Sequence, residues 1–183
     1  MAHVPAPENP RVTGKEGVAR ALLIPPGMLV EVVFHYRTLL GKSELGCGLG
    51  WDEIDQVTQI EHAFRPGVDD RRMRSGRRFR RDAIRLDALV RGDRINDRVE
   101  IIEMGPGGLV FRHAPYIARG ERIEIVIDIG DDSYRFRAQG AWLKDDGDDY
   151  RVGVAFVGMP VCIRNAHISA HTADVVDKIA EAA

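Results

Sequence analysis

The chain lacks most of the features that would settle its role at once. Nothing in its 183 residues approaches an uninterrupted run of about eighteen apolar positions. The nearest candidate, "ALLIPPGMLVEVVF", is broken by two prolines and Glu31, so a membrane-spanning helix is not expected. The opening "MAHVPAPENPRV" has no basic start followed by an apolar stretch, which argues against a signal peptide. There are only 2 cysteines, Cys47 and Cys162, far apart and without metal-ligand spacing. A reduced, cytoplasmic protein is the simplest expectation. No G-x-S-x-G is present, no cysteine–histidine arrangement stands out, and no carboxylate pair can be isolated, so neither catalysis nor a cofactor is expected. "GCGLG" (46–50) superficially resembles a phosphate loop. It lacks the G-x-G-x-x-G spacing and follows a segment that reads as helix, so it is taken as a helix connector. His167 and His171 share the i, i+4 spacing of a zinc pair but have no nearby acid or third ligand; no metal is expected.

Lysine is scarce as well, and the positive charge is carried by arginine and concentrated in one place. The first 64 residues have net charge −3, residues 65–98 have +6, and residues 99–183 have −5, within a chain of formal charge −2. Codon bias would raise arginine everywhere; it does not make the middle basic and both flanks acidic. "RRMRSGRRFRRD" (71–82) is the centre of this asymmetry, which points to a local anion-binding surface.

Periodicity divides the chain. Residues 1–26 are rich in proline, glycine and charge and read as a flexible leader. A helix is expected over about 27–41, with Leu29, Val32, Val33, Tyr36 and Leu40 on its buried face. A second follows in "WDEIDQVTQIEHAF", with Asp52 as N-cap and Ile54, Val57, Ile60 and Phe64 along one side. Together they make a helical hairpin over 27–64 that buries too little alone and should pack on the main domain or on another subunit. Residues 65–82 form a linker that carries the arginine run. From 83 to 183 the pattern changes to strands at 84–90, 98–104, 108–113, 122–129, 134–144 and 150–158, with glycine- and aspartate-rich turns between several of them. A final helix is expected over roughly 165–182, marked by Ile168, Val175, Val176 and Ile179. The fold class is therefore mainly β with helical additions: six antiparallel strands in a barrel or sandwich, a C-terminal helix and an N-terminal helical hairpin.

Guanidinium groups bond phosphate oxygens bidentately and stack on flat rings. A nucleic-acid arm would use this chemistry, but the strands and turns that follow are acidic and oppose a long polyanion. A compact anion with few phosphates suits the pattern better. Here the residues also carry a family likeness. "RRFRRDAIRLDALV", "VEIIEMGPGGLVFR", "ARGERIEIVIDI", "FRAQGAWLK" and "YRVGVAFVG" occur in the order and spacing of a PilZ domain, a likeness covering about residues 71–160. That resemblance implies a six-stranded β-barrel with a C-terminal helix, and a bacterial receptor for cyclic di-GMP.

PilZ receptors bind through R-x-x-x-R before the first strand and [D/N]-x-S-x-x-G at a later strand turn. Arg77 and Arg81 match the first motif, with Arg78 beside them, and Ser75-Gly76 supplies mobility before closure. In the second, "EMGPGG" (103–108), Gly108 matches the last glycine, but Glu103 stands for Asp/Asn and Gly105 for Ser. Losing the serine hydroxyl would cost about 1.5–3 kcal/mol, or roughly ten- to a hundredfold in affinity. No ligand role is carried onto Glu103 or Gly105. The resemblance implies ligand contacts at Arg77, Arg78, Arg81 and Gly108, and a non-enzymatic effector that relays cyclic di-GMP occupancy to a protein partner. The alternative is a degenerate adaptor that binds no cyclic di-GMP and acts through protein contacts. Heptad-like faces on the hairpin further suggest homodimerisation.

Overall fold

A computed structural model describes residues 24–66, 78–147 and 149–164. Arg77, Ser75-Gly76, the expected last helix and His167 and His171 lie outside the described residues.

The strand body follows from period-two burial. In "RIEIVIDI", which forms β4 (Arg122–Ile129), Ile123, Ile125 and Ile127 are buried while Arg122 and Asp128 are exposed. The other strands are β1 (Asp82–Arg91), β2 (Asn96–Gly105), β3 (Gly108–Ala114), β5 (Asp132–Asp146), β6 (Asp149–Phe156) and β7 (Val161–Arg164). All are paired antiparallel, in the order β4-β1-β2-β3-β6-β5-β7, and β4 also pairs with β5. The pairings of the six longer strands thus return on themselves. β5 makes this possible because it is long enough to face β4 over Asp132–Gln139 and β6 over Ala138–Asp146, with a register shift between Gly140 and Trp142. Its first residues also pair with β7, through Asp132–Arg135 against Val161–Arg164. The expected six strands are therefore seven among the described residues. The extra one has four residues, too few for alternation to register, and the long-range partner makes it a strand.

Two helices precede the strands: α1 (Pro26–Glu44) and α2 (Trp51–Ala63). Pro26 suits the first turn of α1, where its missing N–H has no intrahelical acceptor to lose. The buried positions of α1 differ from the expected stripe. Val30 and Leu39 are buried with Leu29, Val33 and Tyr36, whereas Val32 and Leu40 are only half-buried. The cause is that α1 touches β1, β2 and α2 and sets Phe34 against β5, so its packed surface is wider than one narrow stripe. Leu29, Val30 and Val33 join the same core cluster as Ile101, Phe111, Ile125, Ile127, Phe136 and Val154. Phe34 sets its ring edge-on to Tyr134 at 5.3 Å, and the Arg37 guanidinium donates from Nη2 to the Gly158 carbonyl at 2.9 Å. At about 1.5–3 kcal/mol per fully buried aliphatic side chain, α1 is part of the body's core.

α2 is different. None of its own residues is buried; only Phe64, just past its end, is. Ile54, expected on the packed side, is 44% exposed. Polar contacts hold the helix to α1: Lys42 Nζ donates to Glu53 at 2.8 Å, His35 Nε2 lies 2.6 Å from Gln56 Oε1, and the Tyr36 hydroxyl donates to Glu61 at 2.9 Å. Its N-cap is Gly50, two residues before the expected Asp52. The Glu53 carboxylate reaches back to accept from the Gly50 N–H at 2.9 Å while also taking the Lys42 ammonium. The Gly50 and Lys42 bonds, hydrogen bond to Lys42 first, hold the Glu53 carboxyl below its ordinary pKa. Neither helix, among the described residues, is long and apolar enough to cross a membrane.

Candidate functional site

The arginine segment enters the described structure at Arg78 and runs into β1. It lies between two neighbours, the end of α2 and the β2–β3 turn. On the α2 side, the Arg80 N–H donates to the Phe64 carbonyl at 2.9 Å, the Arg80 guanidinium lies 5.9 Å from the Phe64 ring centre, and Phe79 meets Tyr36 edge-on at 5.6 Å. On the turn side, the backbone presses against Gly105. A β-carbon on Gly105 would fall well inside 3.0 Å of the Arg80 carbonyl oxygen, closer than side chains come to backbone. Gly105, which the sequence resemblance sets against the receptors' serine, is thus what lets residues 80–81 approach β2.

Gly108 is required for two reasons. Its φ of +151° is one that side-chain-bearing residues rarely adopt, and a β-carbon would collide with the Val154 carbonyl of β6. Arg81 reaches the same carbonyl, donating from Nη2 at 3.3 Å. The turn itself is bonded to this edge of β6, where the Phe156 N–H donates to the Gly107 carbonyl at 3.2 Å. Two of the four sequence-selected residues, Arg81 and Gly108, therefore converge on Val154.

Arg78 points the other way. Its side chain is 68% exposed, its Nη2 donates to Glu61 Oε1 at 2.6 Å, and its guanidinium lies 5.1 Å from the Phe79 ring centre. Glu61 also accepts the Tyr36 hydroxyl. Burial, then the Glu61 hydrogen bond and charge, push the Tyr36 pKa well above that of an ordinary phenol, so the hydroxyl stays a donor. A cleft of about 330 Å³ lined by Thr58, Glu61, His62, Arg65, Arg78 and Phe79 opens at this junction. Glu103, at the Asp/Asn position of the second motif, accepts from Arg151 Nη2 at 3.1 Å, and Arg80 pairs with Asp82 at 3.4 Å.

Glu61 is the residue that sequence reading missed. Its signal was a single acid on a helix full of acids, and only the packing of α2 brings it to Arg78. A second missed feature is a cleft of about 430 Å³ bordered by Arg91, Arg122, Glu124, Arg137 and Gln139. Register places Arg91, Glu124 and Arg137 side by side across β1, β4 and β5. Among the described residues, no three or more His, Cys, Asp or Glu side chains gather in a way that could hold a metal ion.

The family model of the PilZ domain matches residues 75–173, more than half of the chain, from the arginine segment to beyond β7. Both N-terminal helices lie outside the match. No curated protein matches the chain. With the arginine segment laid against the β2–β3 turn and an antiparallel body of the expected strands behind it, the family match settles the affiliation: the chain belongs to the PilZ domain family.

Proposed function

We propose that this protein is a non-enzymatic receptor for cyclic di-GMP, its strands forming the family's β-barrel, which relays ligand occupancy to a protein partner in the cytoplasm. The observation that carries the reading is that Arg81 and Gly108 meet at the Val154 carbonyl, while Arg78 stands at the mouth of the same segment. This arrangement suits a small ligand with two phosphates. Guanidinium groups at 77, 78 and 81 grip the phosphates and stack on guanine faces, with the Gly108 turn as a backbone contact beside them. The closed circuit of strand pairings supports the barrel. The exposure of Leu45 just past α1 and of Trp51 (88%) and Ile54 at the start of α2 supports a contact surface for the partner or for a second copy of the chain.

Calorimetric titration of the full chain with cyclic di-GMP tests the proposal. Micromolar or tighter binding is expected, weakened roughly ten- to a hundredfold by Arg77→Ala or Arg81→Ala as a charge-assisted hydrogen bond is lost. No heat and no thermal shift at saturating ligand would refute it. A second reading, an adaptor that binds no cyclic di-GMP, is favoured by the Arg78–Glu61 pair and by Arg80 backbone occupying the space a serine at 105 would need. Titration separates the two. Light scattering on the intact chain checks the homodimer; α1 belongs to the core, so removing the hairpin would unfold the protein rather than dissociate it.

A further inference from the structure

We infer that Glu61 of α2 competes with the ligand for Arg78, so that ligand occupancy and the docking of α2 oppose one another. The inference rests on the receptor reading above and adds its regulation. Three observations carry it. First, the arginine segment is bonded to α2 directly, through the Arg78–Glu61 ion pair at 2.6 Å and the Arg80 N–H to the Phe64 carbonyl at 2.9 Å. A ligand that draws residues 78–81 toward itself must pull on the end of α2. Second, Glu61 Oε1 accepts from both Arg78 and the Tyr36 hydroxyl, so one carboxylate ties together the segment, α2 and the core helix α1. Third, α2 fully buries none of its own residues, and half-buried Ile60, Phe64 just past its end and these polar bonds are a light hold against its displacement.

A phosphate and a carboxylate ask for the same guanidinium edge, and a carboxylate left beside a bound phosphate repels it. Both effects have one sign: the Glu61 charge weakens anion binding. By linkage the converse holds, and a ligand that takes Arg78 weakens the hold on α2 by the same factor. Arg78 is mostly exposed, so screening keeps the effect at about two- to fivefold.

The full chain, its Glu61→Gln variant and an Asp55→Asn control are titrated with cyclic di-GMP by calorimetry. Glutamine keeps an acceptor for Tyr36 and removes only the charge. Asp55 lies on the same helix, and among the described residues its carboxylate accepts within α2, from Gln59. Glu61→Gln is expected to bind about two- to fivefold tighter while Asp55→Asn binds like the parent. Amide exchange over 51–64 is expected to quicken in Glu61→Gln without ligand, and in the parent chain on saturation. The competition is overturned if the parent binds and Glu61→Gln binds equally or more weakly, if Asp55→Asn gains as much, or if ligand slows α2 exchange. If none of the three chains binds, the receptor reading fails and the coupling fails with it, a result distinct from binding without a Glu61 effect.

Discussion

Restoring the family serine at position 105 should harm this protein rather than repair it. The simple view treats Gly105 as a lost hydrogen-bond donor, so that Gly105→Ser would regain roughly ten- to a hundredfold in affinity. The structure gives the opposite expectation. A β-carbon at 105 would stand well inside 3.0 Å of the Arg80 carbonyl and 3.4 Å from the Arg81 Cα. That neighbour is backbone, tied to Phe64 by the Arg80 N–H and to Val154 by the Arg81 guanidinium, so it cannot swing aside as a side-chain tip would. Forcing an extra atom into such a contact costs about 1–3 kcal/mol. For a chain of this size each kcal/mol lowers Tm by about 2–4 °C, so a fall of roughly 2–12 °C is expected in a calorimetric scan. Binding of cyclic di-GMP by the same variant should not improve, because the segment that carries Arg78 and Arg81 is the one displaced. An unchanged or raised Tm together with tenfold tighter binding would refute the argument and make Gly105 a simple loss of function.

Gly108→Ala should be worse than Gly105→Ser, since it adds a disfavoured φ to a collision with the Val154 carbonyl; a smaller Tm drop than at 105 would contradict this. Leu29→Ala should cost about 2–5 kcal/mol in urea unfolding, whereas Ile54→Ala should stay within roughly 0.5 kcal/mol, because α1 is core and α2 is not. Equal losses would place both helices alike. The Glu53 carboxyl has a folded pKa below its ordinary 4.5, so its contribution is present above that value and is lost as pH falls through the lowered one. Helix content followed by circular dichroism should therefore drop more gently with acid in Glu53→Gln than in the parent; identical acid profiles would count against the Glu53 contacts.

Much of this organisation was legible in local pattern. The isoleucines of β4 alternate, the Gly-Pro-Gly-Gly stretch turns between β2 and β3, and α1 shows helical spacing despite its β-branched centre. What failed locally failed for identifiable reasons. Asp52 looked like the better cap, but Glu53 reaches back to Gly50 because Lys42 of the preceding helix holds its carboxylate there. Ile54 fitted an apolar stripe, yet only the end of that stripe, half-buried Ile60 and buried Phe64, reaches the core, and Ile54 is left in solvent. Val161–Arg164 carried no strand signal, since four residues pair only because β5 presents an edge.

The amino-acid sequence by itself determined the period of each longer strand, the place of most turns, the basic middle of the chain and the family to which it belongs, because each is written in neighbouring residues. Tertiary structure alone decided that α1 is core while α2 is merely attached, that Gly105 makes room for the Arg80 backbone, and that Glu61 meets Arg78. The last two depend on atoms brought together from 17 or more positions apart, where chain connectivity sets no distance and only packing does.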